Sequence, residues 1–168
     1  MRFQILSTLA LVATGVVADR WANMDDLPDG PYSGITHANG STTMTNLDTN
    51  EVFNFDLIKE DEKRSESNLK KRFAACWGTH LDHRGVDEAV VALKNWAGKG
   101  GKSLVSGDHK AYFGYNRRGV YVYYCIDRPH REGNLDINDI NLALWGIDHT
   151  CRAYEACYYL WDSTPERV

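Results

Sequence analysis

The part of the chain after residue 72 predicts an α+β domain of split βαβ type: strand, helix, strand, strand, helix, strand, with two helices on one face of a four-stranded sheet. Three observations lead to this. Two stretches place apolar residues at helical spacing, and each carries start or stop signals. Four shorter stretches rich in Val, Tyr, Phe and Trp fall before, between and after them. The same part holds all four cysteines of the 168-residue chain, so it is a unit that disulfides can staple.

In order, Phe73-Ala74-Ala75-Cys76-Trp77 reads as a short strand. Gly85 to Ala97 brings Val86, Ala89, Val90, Leu93 and Ala97 onto one helical face, and Gly98 and Gly100 stop it. Lys110 to Tyr115 is a second strand, and Asn116-Arg117-Arg118-Gly119 is a turn with Asn first and Gly last. Val120 to Ile126, dense in Val and Tyr, is the clearest strand. Asp136 suits a helix N-cap and Asp139 the positive end of the helix dipole; Ile137, Ile140, Leu144, Ile147 and Cys151 follow as an apolar stripe. Ala156 to Trp161 closes the domain as a strand. Roughly 96 residues suffice for one such domain, with a core small enough to benefit from disulfides.

Ahead of this domain the composition changes. Residues 1–18 read as a secretory signal peptide. Met1-Arg2 gives a positive start, Phe3 to Val17 is apolar and uncharged, and small Ala18 precedes Asp19 at the expected cut. No later segment approaches about 18 consecutive apolar residues, so no transmembrane segment is expected. Residues 19–72 read as an acidic pro-segment, with eleven acidic and seven basic residues. Turn signals at Leu27-Pro28-Asp29-Gly30-Pro31 and Asn39-Gly40-Ser41 frame two weak strands of one hairpin, Tyr32 to Ile35 and Thr42 to Thr45. Asn39 also opens a glycosylation sequon. Glu51 to Ile58 alternates polar and apolar residues and is the better strand candidate.

From Lys59 to Arg72 nearly every residue is charged or polar, the composition of a solvated, protease-accessible linker. It carries the dibasic sites Lys63-Arg64 and Lys70-Lys71-Arg72. In a secreted chain these invite a kexin-type processing protease, leaving a mature domain of residues 73–168 that begins at Phe73. That domain has eleven basic and twelve acidic residues, so nothing in its charge steers it towards nucleic acid or an anionic membrane.

Secretion governs how Cys76, Cys125, Cys151 and Cys157 are read: an even set in an oxidising compartment implies two disulfides. In a split βαβ sheet the first and third strands are parallel neighbours, which favours Cys76–Cys125, and the end of the second helix lies near the last strand, which favours Cys151–Cys157. Two other connectivities remain open. Zinc is the rival reading. No Cys-x-x-Cys pair is present, and His80 and His83 lack an evident third ligand, so neither metal nor cofactor is expected.

The stretch Gly119-Val120-Tyr121-Val122-Tyr123-Tyr124-Cys125-Ile126-Asp127, then Asp136-Ile137-Asn138-Asp139-Ile140 and a helix ending at Cys151, resembles a broad group of small secreted fungal proteins counted as candidate effectors. Ala75-Cys76-Trp77-Gly78 matches the end of their early strand. In the order of its elements the domain is more distantly similar to the α/β-sandwich killer toxins of smut fungi. The resemblance covers about Phe73 to Trp161. It implies a secreted, processed virulence or toxin-like protein that binds a host or competitor molecule. The chain departs from many such proteins in having Tyr112 to Tyr115, and no cysteine, on the second strand.

The chain contains no Gly-x-Ser-x-Gly, His-Glu-x-x-His or phosphate-binding glycine loop. His80, Asp82 and His83 form one polar cluster, and Asp127, His130 and Glu132 another. A small secreted hydrolase such as a ribonuclease, using His80 or His130, is therefore the alternative to a non-enzymatic binding protein. On the Val120–Ile126 strand, alternation places Val120, Val122, Tyr124 and Ile126 towards the helices and Tyr121, Tyr123 and Cys125 away from them. Tyr121 and Tyr123, with Tyr112 on the next strand, are candidate contact residues on an outward face. In the precursor, Val52 to Ile58 is expected to cover them.

Overall fold

The computed structural model describes residues 7–13, 27–56 and 73–161. Ten strands and two helices follow one another: β1 (Ser7–Ala13), β2 (Gly30–Thr36), β3 (Thr42–Asn46), β4 (Val52–Phe55), β5 (Phe73–His80), α1 (His83–Ala97), β6 (Lys102–Val105), β7 (Lys110–Arg117), β8 (Val120–Ile126), β9 (Glu132–Leu135), α2 (Ile137–Asp148) and β10 (Glu155–Trp161). The fold is α+β, with antiparallel sheets and two helices. No helix among the described residues is long and apolar enough to cross a membrane.

The expected sheet of four strands is instead a sheet of eight, in the order β4-β3-β2-β7-β8-β1-β10-β5. Two segments outside the expected domain supply the extra strands. The hairpin β2–β3 and strand β4 extend the sheet from the edge of β7. The segment expected to be a signal peptide supplies β1, whose backbone pairs antiparallel with β8 on one side and with β10 on the other. Strands β8 and β10 are therefore parallel to each other. Strand β5 is not the neighbour of β8 but the far edge, paired with β10. A separate two-stranded sheet, β6 with β9, lies outside the sequence expectation.

Local chemistry explains the boundaries. Helix α1 begins at His83, ahead of its apolar stripe, because Asp82 Oδ1 accepts a hydrogen bond from the Gly85 N–H (2.7 Å). Helix α2 starts with a full capping box: Asp136 accepts from the backbone of Asn138 and Asp139, and Asp139 Oδ2 accepts from the Asp136 N–H (3.1 Å). The turn after β7 is tighter than a four-residue turn from Asn116. Arg118 and Gly119, at φ 52° and 74°, form a two-residue connection whose left-handed backbone matches the strand twist.

Both helices pack on one face of the sheet. Val86, Ala89, Val90 and Leu93 of α1 and Ile140, Ala143 and Ile147 of α2 meet Val120, Val122, Tyr124 and Ile126 of β8 and Tyr159 of β10. The expected division of β8 into two faces is thus the observed one. The opposite face is also covered, by the segment ahead of the linker.

Candidate functional site

The second face is built around tyrosines. Tyr121 and Tyr123 stack with ring centroids 5.1 Å apart, and Tyr112 meets Tyr123 edge-on at 5.7 Å. The three expected contact residues are therefore brought together. They do not face outwards: Tyr121, Tyr112 and Tyr123 are 0%, 3% and 6% exposed. Leu27, Tyr32, Met44 and Phe55, all from the segment expected to be a pro-segment, are buried in the same cluster, with Phe53 partly so. The expected cover, Val52 to Ile58, contributes Phe53 and Phe55 but not Val52, which is 54% exposed; Leu57 and Ile58 lie outside the described residues. The β2–β3 hairpin adds Tyr32 and Met44, both fully buried, although its strand signal is weak.

Three features fit the cover to the face. Strand β2 pairs with β7 from Gly30↔Asn116 to Thr36↔Lys110. Tyr32 then lies across from Gly114 and reaches Tyr121 edge-on at 6.4 Å. A side chain at Gly114 would run into the Val122 carbonyl and the backbone of Tyr123, so the strand can carry only glycine there. Polar bonds tie the ends. Asn116 Nδ2 donates to the carbonyls of Leu27 (2.6 Å) and Pro28 (3.2 Å), the Arg118 N–H donates to Asp29 Oδ1 (2.8 Å), and Thr36 Oγ1 donates to Tyr112 Oη (3.1 Å).

The seam is not fully satisfied. Among the described residues, Tyr121 Oη and Asn116 Oδ1 are buried without a hydrogen-bond partner. Burial, with smaller contributions from Cys125, Tyr112 and Tyr32, pushes the Tyr121 hydroxyl far above its usual range, so it stays a neutral donor.

The cysteines correct the expected pairing. Cys76 is bonded to Cys151, with Cα atoms 5.6 Å apart, so neither Cys76–Cys125 nor Cys151–Cys157 forms. Cys125 and Cys157 are buried thiols. They cannot meet: β1 separates their strands, Cys125 lies in the tyrosine cluster, and Cys157 lies in the helix-face core. Burial, with the charges of Glu155 and Asp148, raises the Cys157 thiol to about 12. The expectation failed because β5 sits beside β10, which puts Cys76 opposite Cys157 and under the end of α2.

The two polar clusters come apart differently. Asp82 caps α1, and His83 stacks on Tyr154 (3.9 Å). His80 lies 5.8 Å from His83 and across the strand pair from Glu155. Tyr154 and Glu155 complete this group and carry no motif that a sequence search would find. Glu155 is held below the usual carboxylate range, first by the Arg152 N–H and also by the Gly78 N–H, against a smaller opposing effect of desolvation. In the second cluster Asp127 pairs with Lys110 (2.7 Å) and His130 lies 3.5 Å from Asp108. These residues are drawn to different partners. Among the described residues no three His, Cys, Asp or Glu side chains are placed to hold a metal ion. Asn39 is exposed in the β2–β3 turn, its Oδ1 accepting from Ser41 N–H (3.0 Å) and Oγ–H (2.7 Å). Ala18, Lys63, Arg64, Lys70, Lys71 and Arg72 lie outside the described residues.

No protein-family profile, curated protein or solved structure matches the chain.

Proposed function

We propose that this is a secreted binding protein of effector or killer-toxin-like kind, latent until a kexin-type protease cuts after Arg64 or Arg72. Its contact surface is the tyrosine face of β7 and β8, directed at a host or competitor molecule. The observation that carries the reading is the split ownership of one core. Tyr112, Tyr121 and Tyr123 come from one side of the dibasic linker, and Tyr32, Met44 and Phe55 from the other. Aromatic side chains with a polar tip suit an interface. A disulfide and an apolar leader fit the secreted compartment.

The test uses labelled protein on intact competitor fungal cells and on plant tissue. The cut form is expected to bind several-fold more than a precursor whose linker basic residues are replaced by Gln. Tyr121→Phe removes a hydroxyl that has no partner in the precursor, so it leaves precursor stability unchanged or higher while weakening target binding. Equal binding by cut and uncut forms would sink the reading.

One juxtaposition supports a hydrolase as a second reading: His80 opposite Glu155, beside His83 and Tyr154. Against it, both carboxylate oxygens of Glu155 accept backbone N–H bonds, and the Asp87 carboxylate pushes the Tyr154 hydroxyl up. RNA turnover that disappears in His80→Ala would favour the enzyme.

A further inference from the structure

We infer that the cut does not release the pro-segment: residues 27–56 stay seated on β7 as a second, non-covalent chain, and cleavage acts by making that cover exchangeable. The inference rests on the processing proposed above and concerns what the cut leaves behind.

Among the described residues, the contacts that hold the cover all lie outside the linker. The β2–β7 ladder runs over seven paired positions, Gly30 to Thr36 with Asn116 to Lys110. The apolar contacts of Leu27, Tyr32, Met44 and Phe55 and the bonds from Asn116, Arg118 and Thr36 also end before residue 57. A cut after residue 64 or 72 breaks none of them. Losing the cover would bare the edge of β7 and three tyrosine rings at once. An open strand edge flanked by apolar surface is a template for pairing with other chains. A domain stripped in this way would associate with itself or recapture its cover.

The cut changes the entropy of the cover instead. While the linker is intact, the cover competes at an effective concentration on the order of millimolar, so a partner in trans rarely displaces it. After the cut, mass action governs the exchange. The cover is also an imperfect ligand, because Tyr121 Oη and Asn116 Oδ1 lack hydrogen-bond partners among the described residues. An extended partner strand that accepts from Tyr121 and donates to Asn116 gains two bonds the cover does not make.

The experiment takes the precursor secreted by a host that lacks kexin-type activity, treats it with that protease, and follows it by size-exclusion chromatography and native mass spectrometry. The expected product is one species containing both polypeptides, one ending at Arg64 or Arg72 and one beginning at Ser65 or Phe73. It separates on strong dilution or in denaturant. A cut protein whose two parts elute apart at micromolar concentration would overturn the inference. Absence of any cut in the linker would instead overturn the processing on which it rests. Tyr32→Ala is expected to speed dissociation about tenfold or more. Should that precursor fail to fold, a labelled synthetic peptide of residues 27–56 serves with wild-type protein. It is expected to exchange into cut protein and not into uncut protein. Exclusion from both overturns the inference, as does equal uptake by both.

Discussion

The two faces of the main sheet hold two unlike cores. The helix-face core is drawn from residues 81–159, is rich in aliphatic side chains, and sits beside the Cys76–Cys151 bond, which closes a loop with a sequence separation of 75. The tyrosine-face core is drawn from both sides of residues 57–72 and is aromatic. The first has what a permanent core needs: a continuous chain, capped helices and a covalent tie. The second has the marks of an interface, with aromatic anchors, polar bonds at its ends and no covalent bond between its halves once the linker is cut. One sheet thus carries a core continuous in sequence on one side and, on the other, the face proposed above as a docking surface.

The largest expected effect on this arrangement comes from the leader, because β1 lies beneath both cores. In a secreted form that begins at Asp19 the strand between β8 and β10 is gone. All seven residues of β8 are buried, and each buried polar group left unpaired would cost about 1–3 kcal/mol. Strands β8 and β10 already run in the same direction and are joined through α2, the arrangement of a βαβ unit. They are expected to close into a direct parallel pair, seen as slow amide exchange along β8 and cross-strand nuclear Overhauser contacts to β10. Fast exchange along β8 in that form, or a mature mass that retains Ser7 to Ala13, would defeat this.

Next in size is the disulfide. Cys76→Ala should lower the stability of the cut and uncut protein alike by about 4 kcal/mol, the chain-entropy value for a loop of this length, read as a shift in denaturant midpoint. Its effect on release of the pro-segment should be small, since neither cysteine lies in the tyrosine cluster. If release changes as much as stability does, the two cores are not independent.

The contrast also shows what a sequence can reveal. Where a signal is local, it was legible: the stripe of α1, the capping pair Asp136 and Asp139, the alternation of β8, the hairpin turn signals around Asn39-Gly40. Where the determining contact is distant in the chain, it was not. Strand β6 contains Lys102 and Ser103, and β9 contains Gly133 and Asn134; neither advertises a strand, and only their mutual pairing makes them one. The disulfide depended on strand order, which hydrophobic patterning does not encode. Period-two alternation picks out Tyr121 and Tyr123, with Tyr112 as their neighbour on the next strand, yet the burial of all three depends on a partner segment more than fifty residues earlier in sequence, whose hairpin residues read as weak strands. The leader had the composition of a segment to be removed, and composition says nothing of the two strands it pairs with here.

The smallest expected effect is also the most direct way to break the comparison. Leu93 and Met44 are both fully buried, one in each core. Truncating either to Ala removes a comparable apolar volume, worth about 3 kcal/mol with the cavity included. The consequences should divide. Leu93→Ala is expected to lower the thermal stability of the uncut protein and of the cut body by similar amounts, with the rate of pro-segment release little changed. Met44→Ala, which touches the body only across the seam, should leave the body alone unaffected. It should speed release after the cut, and in the uncut protein its cost should fall below that of Leu93→Ala, because the tether keeps returning the cover to its place. Thermal melts of both variants before and after cleavage, with release timed by labelled-peptide exchange, give all the needed values. Equal losses in the uncut protein, together with equal rates of release after the cut, would mean that the tyrosine face and the helix face form one core, and that the pro-segment is as integral to the fold as either helix.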